Sequence, residues 1–260
     1  MAVVISGLAS TLAVMTTCWL ASLTRRNAGY VDRAWGALFP VLAAIYLIRA
    51  DEVTPRAVFV AVLASVWGAR LAIHLTVRAW GTGEEWRHQE ARARNPWFPL
   101  LSLVTLFWPQ AVAAVAVSTP LLASLDRQQP SGLQPLDVIG GAVWLGGLLC
   151  EAVADRQLRR FGARTRDRTS VLDRGLWRYS RHPNYFGDAL MWWGLGVIGL
   201  TTGHIWSIAG PAGMTVVLLY GSGVRAMDQH MLATRGDAYA AYASDTSAFL
   251  PLPPRRTTAP

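Results

Sequence analysis

The sequence contains no lysine and few charged residues of either sign. Its 260 residues include 24 basic side chains, all of them arginine, against 16 acidic ones, so only 15% of the chain is charged. Soluble domains ordinarily contain about 25% charged residues. This shortage argues against a soluble globular protein, and the 52% share of hydrophobic residues indicates a chain that lies within a lipid bilayer.

Cysteine and histidine are scarce as well. The two cysteines, Cys18 and Cys150, fall in apolar stretches, which argues against a disulfide framework. The five histidines form no HxxxH or HxxE pair, so the sequence predicts no metal site. Low complexity is confined to the tail at residues 251–260, which we expect to be a frayed end.

Long stretches without acidic or basic side chains predict membrane-spanning helices, each of which needs about 20 apolar residues. Residues 1–23 and 96–125 carry no such side chain, and residues 189–224 carry only His204. The last stretch is long enough for two helices joined by a turn at Gly203. Three shorter segments bring the count to about seven spans: residues 34–48, 57–79 and 138–154. The predicted fold is all-α, a polytopic membrane helix bundle.

The arginines predict the orientation of this bundle. If the N-terminus lies outside, 21 arginines fall in cytoplasmic segments and only Arg49, Arg56 and Arg127 fall in outer loops. The cytoplasmic segments are residues 25–33, 70–94, 156–181 and 225–256. Cytoplasmic loops of membrane proteins are enriched in basic residues, so we expect an N-out, C-in topology with a cytoplasmic C-terminus. The net charge of +8 then reflects topology and does not require a nucleic-acid partner.

Polar residues that could carry chemistry concentrate in the C-terminal half. Glu151, Asp155 and Arg159 are spaced by four residues and therefore form a polar stripe on one helix face. Residues 175–188 follow, with the sequence GLWRYSRHPNYFGD. Pro183 suits the first turn of the next helix.

The start of that helix would offer an anion site, because its free N–H groups and dipole favour negative charge. Arg181, His182 and Asn184 would surround it. Asn184 and Asp188 share a helix face, and together they offer the donor and acceptors that a carboxamide needs. The arrangement suits a nicotinamide or another amide-bearing ligand. The alternative is that these arginines only anchor loops to lipid headgroups.

Residues 175–188, together with DRQL at 155–158 and RGDAYAAY and AFLP downstream, resemble the C-terminal catalytic region of the steroid 5-alpha-reductase family, in particular its bacterial relatives. The resemblance covers about residues 151–251. Sterol C14-reductases and the lamin B receptor share the RHPNYxGD string, whereas isoprenylcysteine carboxyl methyltransferases share only a looser RHPxYxG. The motif is therefore more typical of the reductase branch.

The resemblance implies a membrane enzyme that holds NADPH in a cytoplasm-facing cavity among its last helices. The substrate would be a steroid, sterol or isoprenoid lipid that enters from the bilayer. Within one transmembrane domain, residues 1–260, the spans at 1–125 would form the substrate side and residues 134–251 the cofactor-binding region. A bacterial member would lie in the inner membrane.

The resemblance also assigns site residues by motif position. Asn184 and Asp188 match residues that hold the nicotinamide, and Asp155 matches an acid near the ribose or adenine. Asp228, Tyr239 and Tyr242 match a closing segment that contributes to cofactor contact and proton delivery. The other candidate cofactor contacts are Arg159, Arg160, Arg164, Tyr179, Arg181, His182 and Arg225. The nine arginines and two acids of residues 156–181 favour NADPH over NADH, because guanidinium groups bind the additional phosphate.

The N-terminal half differs from the 5-alpha-reductases, since it lacks their Gln-Glu pair and has Trp67 in place of a tyrosine. The bacterial relatives instead share the patterns NAGYVDRAWG at residues 27–36 and GTGEEWRHQ at 81–89. We expect Tyr30 or Glu85 to supply the proton, with Asp228 as the alternative.

The sequence thus favours an NADPH-dependent oxidoreductase acting on CH–CH bonds, a reductase of a carbon–carbon double bond like that of a 3-oxo-steroid 4-ene. One alternative is a methyltransferase that uses S-adenosylmethionine on a lipid or prenylated thiol. The other is a non-enzymatic sterol-binding membrane protein.

Overall fold

The computed structural model describes residues 1–81, 83–126, 130, 132–165, 167, 169–221 and 223–255. These residues form helices and connecting loops and no strand, so the all-α prediction is confirmed for the part of the chain described. Four arginines counted toward the topology, Arg127, Arg166, Arg168 and Arg256, lie outside the described residues.

The helices run in the following order: α1 (Ala2–Arg25), α2 (Tyr30–Arg49), α3 (Pro55–Arg78), α4 (Trp86–Arg94), α5 (Phe98–Ser102), α6 (Trp108–Val117), α7 (Thr119–Ala123), α8 (Pro135–Arg164), α9 (Pro183–Leu200), α10 (Ala209–Tyr220) and α11 (Val224–Asp245). A π-helical turn at Leu103–Phe107 joins α5 to α6, and 3₁₀ turns lie at Gly175–Arg178 and Ile205–Ile208. The turn predicted at Gly203 is present, with φ of +81°.

Among the described residues, six helical stretches are long and apolar enough to cross a membrane: Ala2–Arg25, Tyr30–Arg49, Pro55–Arg78, Phe98–Val117, Pro135–Arg164 and Ile205–Asp245. They support an integral membrane protein. Helix α9 is not among the six, since its first two turns carry Asn184 and Asp188. Helix α8 has 30 residues, more than the about 20 that a bilayer requires, and it carries the predicted polar stripe of Glu151, Asp155 and Arg159 in its C-terminal half.

The chain divides into two compact units. The first unit comprises Met1–Asp137 and Ile198–Gly210, and the second comprises Val138–Val197 and Pro211–Pro260. The predicted regions 1–125 and 134–251 correspond to neither unit completely, because residues 198–210 of the chain belong to the first.

Close backbone packing holds α2 against α3 in the first unit. A Cβ atom on Gly36 would lie 2.4 Å from the carbonyl oxygen of Gly68, so this crossing tolerates only glycine. Beside it, the rings of Phe39 and Trp67 meet edge to face with centroids 4.9 Å apart. Both rings are fully buried, which places the core of the first unit between these two helices.

A buried ion pair lies elsewhere in the first unit. Arg56 donates through Nε and Nη2 to the two carboxylate oxygens of Asp137, each at 2.8 Å. The pair is almost completely buried, so neither partner can be lost without leaving an uncompensated charge. Arg56, which sequence reasoning counted as a loop arginine, therefore also has a structural role.

In the second unit, α8 and α9 approach each other through glycine. A Cβ atom on Gly147 would lie 2.6 Å from the carbonyl oxygen of Gly187. The 3₁₀ turn before α9 packs on the same side of α8, where the indole of Trp177 donates to the carbonyl of Ala154 at 3.2 Å. The GLW sequence thus fixes the chain that leads into α9 against the helix that carries Glu151 and Asp155.

Candidate functional site

The second unit gathers much of the predicted site at the start of α9. The helix begins at Pro183, as the proline predicted, and the segment before it contains Arg181 and His182. His182 is buried, and its backbone amide donates to the hydroxyl of Ser180 at 3.1 Å. This hydrogen bond holds the chain in the turn that delivers Pro183 and Asn184 to the first turn of the helix.

Asp228 is the hub of this site. Its carboxylate accepts from Arg181 Nη2 at 2.7 Å and from Arg181 Nε at 3.3 Å. His182 Nε2 lies 2.7 Å from the same carboxylate, and the hydroxyl of Tyr239 also donates to it. An ionised carboxylate can only accept, and these three side chains use its oxygens together. Four of the predicted residues are therefore brought into one hydrogen-bonded network.

A break in α11 makes this network possible. Asp228 and Tyr239 are eleven residues apart, which in a straight helix would separate them by about 16 Å along the axis. Gly236 between them has φ of +54°, in the left-handed region that favours glycine. The chain therefore turns at Gly236, and Tyr239 after the break contacts Asp228 before it.

Arg181 also fastens the motif to the C-terminal segment. Its Nη1 donates to the carbonyl oxygens of Ala243 and Thr246, both at 2.9 Å, and its backbone amide donates to the carbonyl of Ser247 at 2.8 Å. Most of the guanidinium donors are thus used within the protein. The predicted contact between Arg181 and a cofactor stays a prediction, since the structure shows this side chain in a positioning role.

The prediction of a frayed tail is wrong for residues 251–255. The amide of Leu252 donates to the carbonyl of Tyr179 at 3.0 Å, and the amide of Arg255 donates to the carbonyl of Asp245 at 2.8 Å. Ser180 Oγ donates to the carbonyl of Phe249 at 2.8 Å. The tail is therefore bonded to the backbone carbonyls of Tyr179 and Asp245, and a proline-rich composition does not reveal such partners. Residues 256–260 lie outside the described residues.

Asn184 has an unsatisfied polar atom. Its Oδ1 is buried and has no hydrogen-bond partner among the residues that the structure describes. Buried side-chain oxygens nearly always have a partner, so an orphaned one in the first turn of a helix points to a ligand. Asp188, one turn later on the same face, is buried as well. The predicted Asn184–Asp188 pair is therefore placed together, with an acceptor available.

The remaining predicted cofactor residues differ in exposure. Asp155 is buried on α8, as is Glu151. Tyr242 is half-buried, and its hydroxyl donates to the carbonyl of Trp177. The others are exposed and therefore open to a ligand: Arg159, Arg160, Arg164, Tyr179 and Arg225. The structure does not draw these five side chains into the Asp228 network.

A second polar cluster lies in the first unit, where the patterns at residues 27–36 and 81–89 meet. Glu84 accepts from the backbone amide of Ala28 at 2.7 Å and from Arg92 Nη2 and Nε at 2.9 and 3.0 Å. Burial raises the pKa of Glu84, but the hydrogen bonds from Arg92 and Ala28 outweigh it and leave the pKa below its ordinary value. Glu84 therefore joins the start of α2 to α4 as a charged acceptor.

The same cluster contains two further pairs. Asp32 lies 3.1 Å from Nε2 of the buried His88, and Glu85 accepts from Arg87 Nη2 at 2.9 Å. One ligand atom each from Asp32, Glu85 and His88 falls within 4.8 Å of the others, which is close enough to hold a metal ion. Each of the three already has a partner in the protein. The positive charge of Arg87 beside Glu85 would repel a divalent cation there.

Glu85 lines a cavity of about 290 Å³ in the first unit, together with Asp32, Arg33, Arg78 and Glu84. Tyr30, the other predicted proton donor, does not line it. The guanidinium of Arg33 lies over the Tyr30 ring, 5.0 Å from its centroid. The two N-terminal candidates therefore belong to one cluster, in which Glu85 alone faces the cavity.

The family described as "Protein of unknown function (DUF1295)" matches residues 18–246 of the chain. The chain belongs to the DUF1295 family. No curated protein and no solved structure matches it. The DUF1295 region contains every candidate site residue in both units, whereas the bonded tail at 247–255 lies beyond it. The resemblance to 5-alpha-reductases stays a prediction for this DUF1295 member.

Sequence reasoning missed several residues of the DUF1295 clusters. His88, Arg33 and Arg78 were not singled out as site residues, although all three lie within or next to the two N-terminal patterns. The pairings join residues about 56 positions apart, and no local periodicity links such positions. A signal was nevertheless present, because both patterns combine acids with arginines at the ends of apolar runs.

Proposed function

We propose that this protein is an integral membrane NADPH-dependent reductase of a carbon–carbon double bond in a steroid or a related lipid. One observation carries most of the proposal: the buried Oδ1 of Asn184, in the first turn of α9, has no partner among the described residues. A buried amide oxygen without a partner can accept a hydrogen bond from the NH₂ of a carboxamide. The carboxamide is the group that distinguishes the reactive end of a nicotinamide.

The surroundings of Asn184 support a bound dinucleotide. The N-terminus of α9 favours negative charge through its free N–H groups and dipole. Asp188 can accept a hydrogen bond from the second N–H of the carboxamide NH₂. The Asp228 network fixes His182 and Arg181 just before the helix, so the site is organised before a ligand arrives.

When bound, the cofactor supplies a hydride to one carbon of the double bond, and an acid of the protein supplies a proton to the other. An enone would thereby become a saturated ketone, with the cofactor oxidised. The task of the protein is to orient the reacting carbons within about 3–3.5 Å and to exclude water. Glu85 or Tyr30 is the proposed proton source, and Asp228 is the alternative.

Exposed arginines at the end of α8 favour NADPH over NADH. Arg159, Arg160 and Arg164 are exposed, and among the described residues none makes an ion pair. They follow Asp155 on the same helix, which the resemblance assigns to the ribose or adenine side. Guanidinium groups bind a phosphate through paired hydrogen bonds, so this helix end suits the 2′-phosphate.

The proposed topology has seven spans, with the N-terminus outside and the C-terminus in the cytoplasm. Helix α9 is the seventh, because its 18 residues rise about 27 Å, close to the thickness of the hydrocarbon core. Its polar start would then lie at the cytoplasmic surface beside the arginine-rich segment 156–181. In a bacterium this corresponds to the inner membrane.

Ligand-induced stabilisation of the full chain in detergent tests the proposal. The melting temperature should rise with NADPH, since a ligand at a hundredfold excess over Kd adds about 2.7 kcal/mol. NADH and S-adenosylmethionine serve as parallel additions. A response to S-adenosylmethionine without one to NADPH would indicate the methyltransferase, and no response to any of the three would favour a non-enzymatic sterol-binding protein.

A further inference from the structure

The cavity of the first unit is lined by two arginines, Arg33 and Arg78, that form no hydrogen bond or ion pair within the part of the chain that the structure describes. The acids of the cluster are all engaged, Glu84 with Arg92, Asp32 with His88 and Glu85 with Arg87. Arg33 and Arg78, which line the same cavity, make no hydrogen bond or ion pair with any described residue. Once these pairs are formed, the charge that remains in the cavity is positive.

Arg33 carries the stronger observation. Its Nε is buried and has no hydrogen-bond partner among the described residues, although the guanidinium rests on the Tyr30 ring. A guanidinium never gives up its charge, so a buried N–H without an acceptor is costly. An anion in the cavity would remove that cost. A metal ion would not, because it would add positive charge beside two arginines.

The backbone around the cavity favours the same ligand charge. Helix α2 begins after Gly29 and α4 begins after Glu85, and both of these residues line the cavity. Neither helix has a side-chain cap at its N-terminus. Two uncapped helix N-termini and two arginines at one cavity form an arrangement that binds phosphate groups.

The position of the cavity indicates which phosphate-bearing ligands can reach it. Its walls come from the first turn of α2 and the last turn of α3, and both helices are long and apolar enough to cross a membrane. The cavity therefore lies where these spans end, at the level at which phospholipid headgroups and soluble phosphates are both within reach.

We infer that Arg33 and Arg78 form a binding site for a phosphate group, carried either by an anionic lipid or by a small soluble molecule. The inference is drawn from residues of the first unit alone and does not rest on the proposed cofactor site at Asn184. Glu84, Asp32 and Glu85 restrict it by repelling ligands that place a second negative group against them.

The test compares an Arg33→Gln/Arg78→Gln variant with an Arg25→Gln/Arg26→Gln control. The control removes the same charge from two exposed arginines at the end of α1 that do not line the cavity. Each purified chain is titrated with inorganic phosphate against chloride at matched ionic strength. Each is also placed in phosphatidylcholine nanodiscs with and without phosphatidic acid, and the melting temperature and retained lipid are measured.

The original chain and the control should respond to one phosphate source, and the cavity variant should bind it at least roughly tenfold more weakly, the loss of one or two charge-assisted hydrogen bonds. A response to phosphatidic acid alone identifies a lipid headgroup, and a response to inorganic phosphate identifies a soluble ligand. The inference is overturned if neither source stabilises the chain, or if the cavity variant responds as the control does. Stabilisation by a divalent metal alone, abolished by His88→Ala, would also overturn it.

Discussion

His182 Nε2 lies 2.7 Å from Asp228 Oδ1, and this contact joins the turn before α9 to the first part of α11. The RHP sequence is therefore not an isolated loop motif. Its histidine and arginine bind one carboxylate, and Tyr239 completes the set from beyond the break at Gly236. The network holds the segment before α9 in place and thereby positions Asn184, whose amide oxygen has no partner among the described residues.

Removing the charge of Asp228 should destabilise the second unit. Asp228→Asn keeps the shape but leaves the buried donors of Arg181 and His182 poorly satisfied, which costs about 1–3 kcal/mol. Tyr239→Phe removes one donor and should cost less. Thermal unfolding in detergent measures both, and Tyr220→Phe serves as a matched control because Tyr220 is 68% exposed. Equal melting temperatures for all of these chains would show that the hub contributes nothing to stability.

The source of the proton can be assigned by comparing three variants. Asp228 already accepts from three side chains, so we expect Asp228→Asn to lower activity in parallel with stability. Glu85→Gln or Tyr30→Phe should instead lower the rate of product formation while the cofactor Kd stays constant. Single-turnover rates and cofactor binding are the measurements. Full activity in both N-terminal variants together with an inactive but stable Asp228→Asn chain would reverse the assignment.

Much of the helical framework could be predicted, because apolar runs without charge have few other solutions in a bilayer. Residues 1–23 and 57–79 correspond to α1 and α3, and Pro183 marks the start of α9. The contacts at Glu84 and His88 could not be predicted, since they join segments about 56 residues apart.

Other parts of the site were hidden for local reasons. The contact between Asp228 and Tyr239 depends on the left-handed conformation of Gly236, and a glycine in a helical pattern does not by itself predict a break. The tail is held by backbone groups of Tyr179 and Asp245, which carry no side-chain pattern. The position of Asn184 in the first turn of α9 could be predicted because Pro183 precedes it, whereas its contact with a cofactor stays a prediction.

Acidic pH should weaken the first unit through Glu84. Hydrogen bonds from Arg92 and Ala28 hold the pKa of Glu84 below its ordinary value despite burial. A lowered pKa in the folded state gives stability that is fully present above the ordinary value of about 4.3 and is lost as pH falls through the folded-state pKa. Melting temperatures measured from neutral pH downward should fall less steeply for Glu84→Gln than for the original chain. Parallel curves would show that Glu84 does not contribute to the loss of stability at acidic pH.

Cofactor preference should depend on the arginines at the end of α8. Replacing Arg159, Arg160 and Arg164 by glutamine should weaken NADPH and leave NADH nearly unchanged, because only NADPH carries the 2′-phosphate. Two such contacts, worth about 1.5–3 kcal/mol each, correspond to a preference of hundreds-fold or more. The ratio of the two Kd values is the measurement, with Arg255→Gln as a control. If both cofactors weaken equally, these arginines do not read the 2′-phosphate.

The most direct test of the account is the affinity of Asn184→Ala for NADPH, measured beside its melting temperature without ligand. Because Oδ1 has no hydrogen-bond partner among the residues that the structure describes, the substitution removes none of the hydrogen bonds seen there for that atom, and the melting temperature should stay unchanged. Losing the partner of a buried carboxamide should raise the Kd roughly 5- to 150-fold, or about 1–3 kcal/mol. Asn95→Ala, in the first unit, is the control for affinity alone, because Asn95 Oδ1 accepts from the backbone amide of Trp97 at 2.9 Å. A stable Asn184→Ala chain that binds NADPH as tightly as the original would contradict the account.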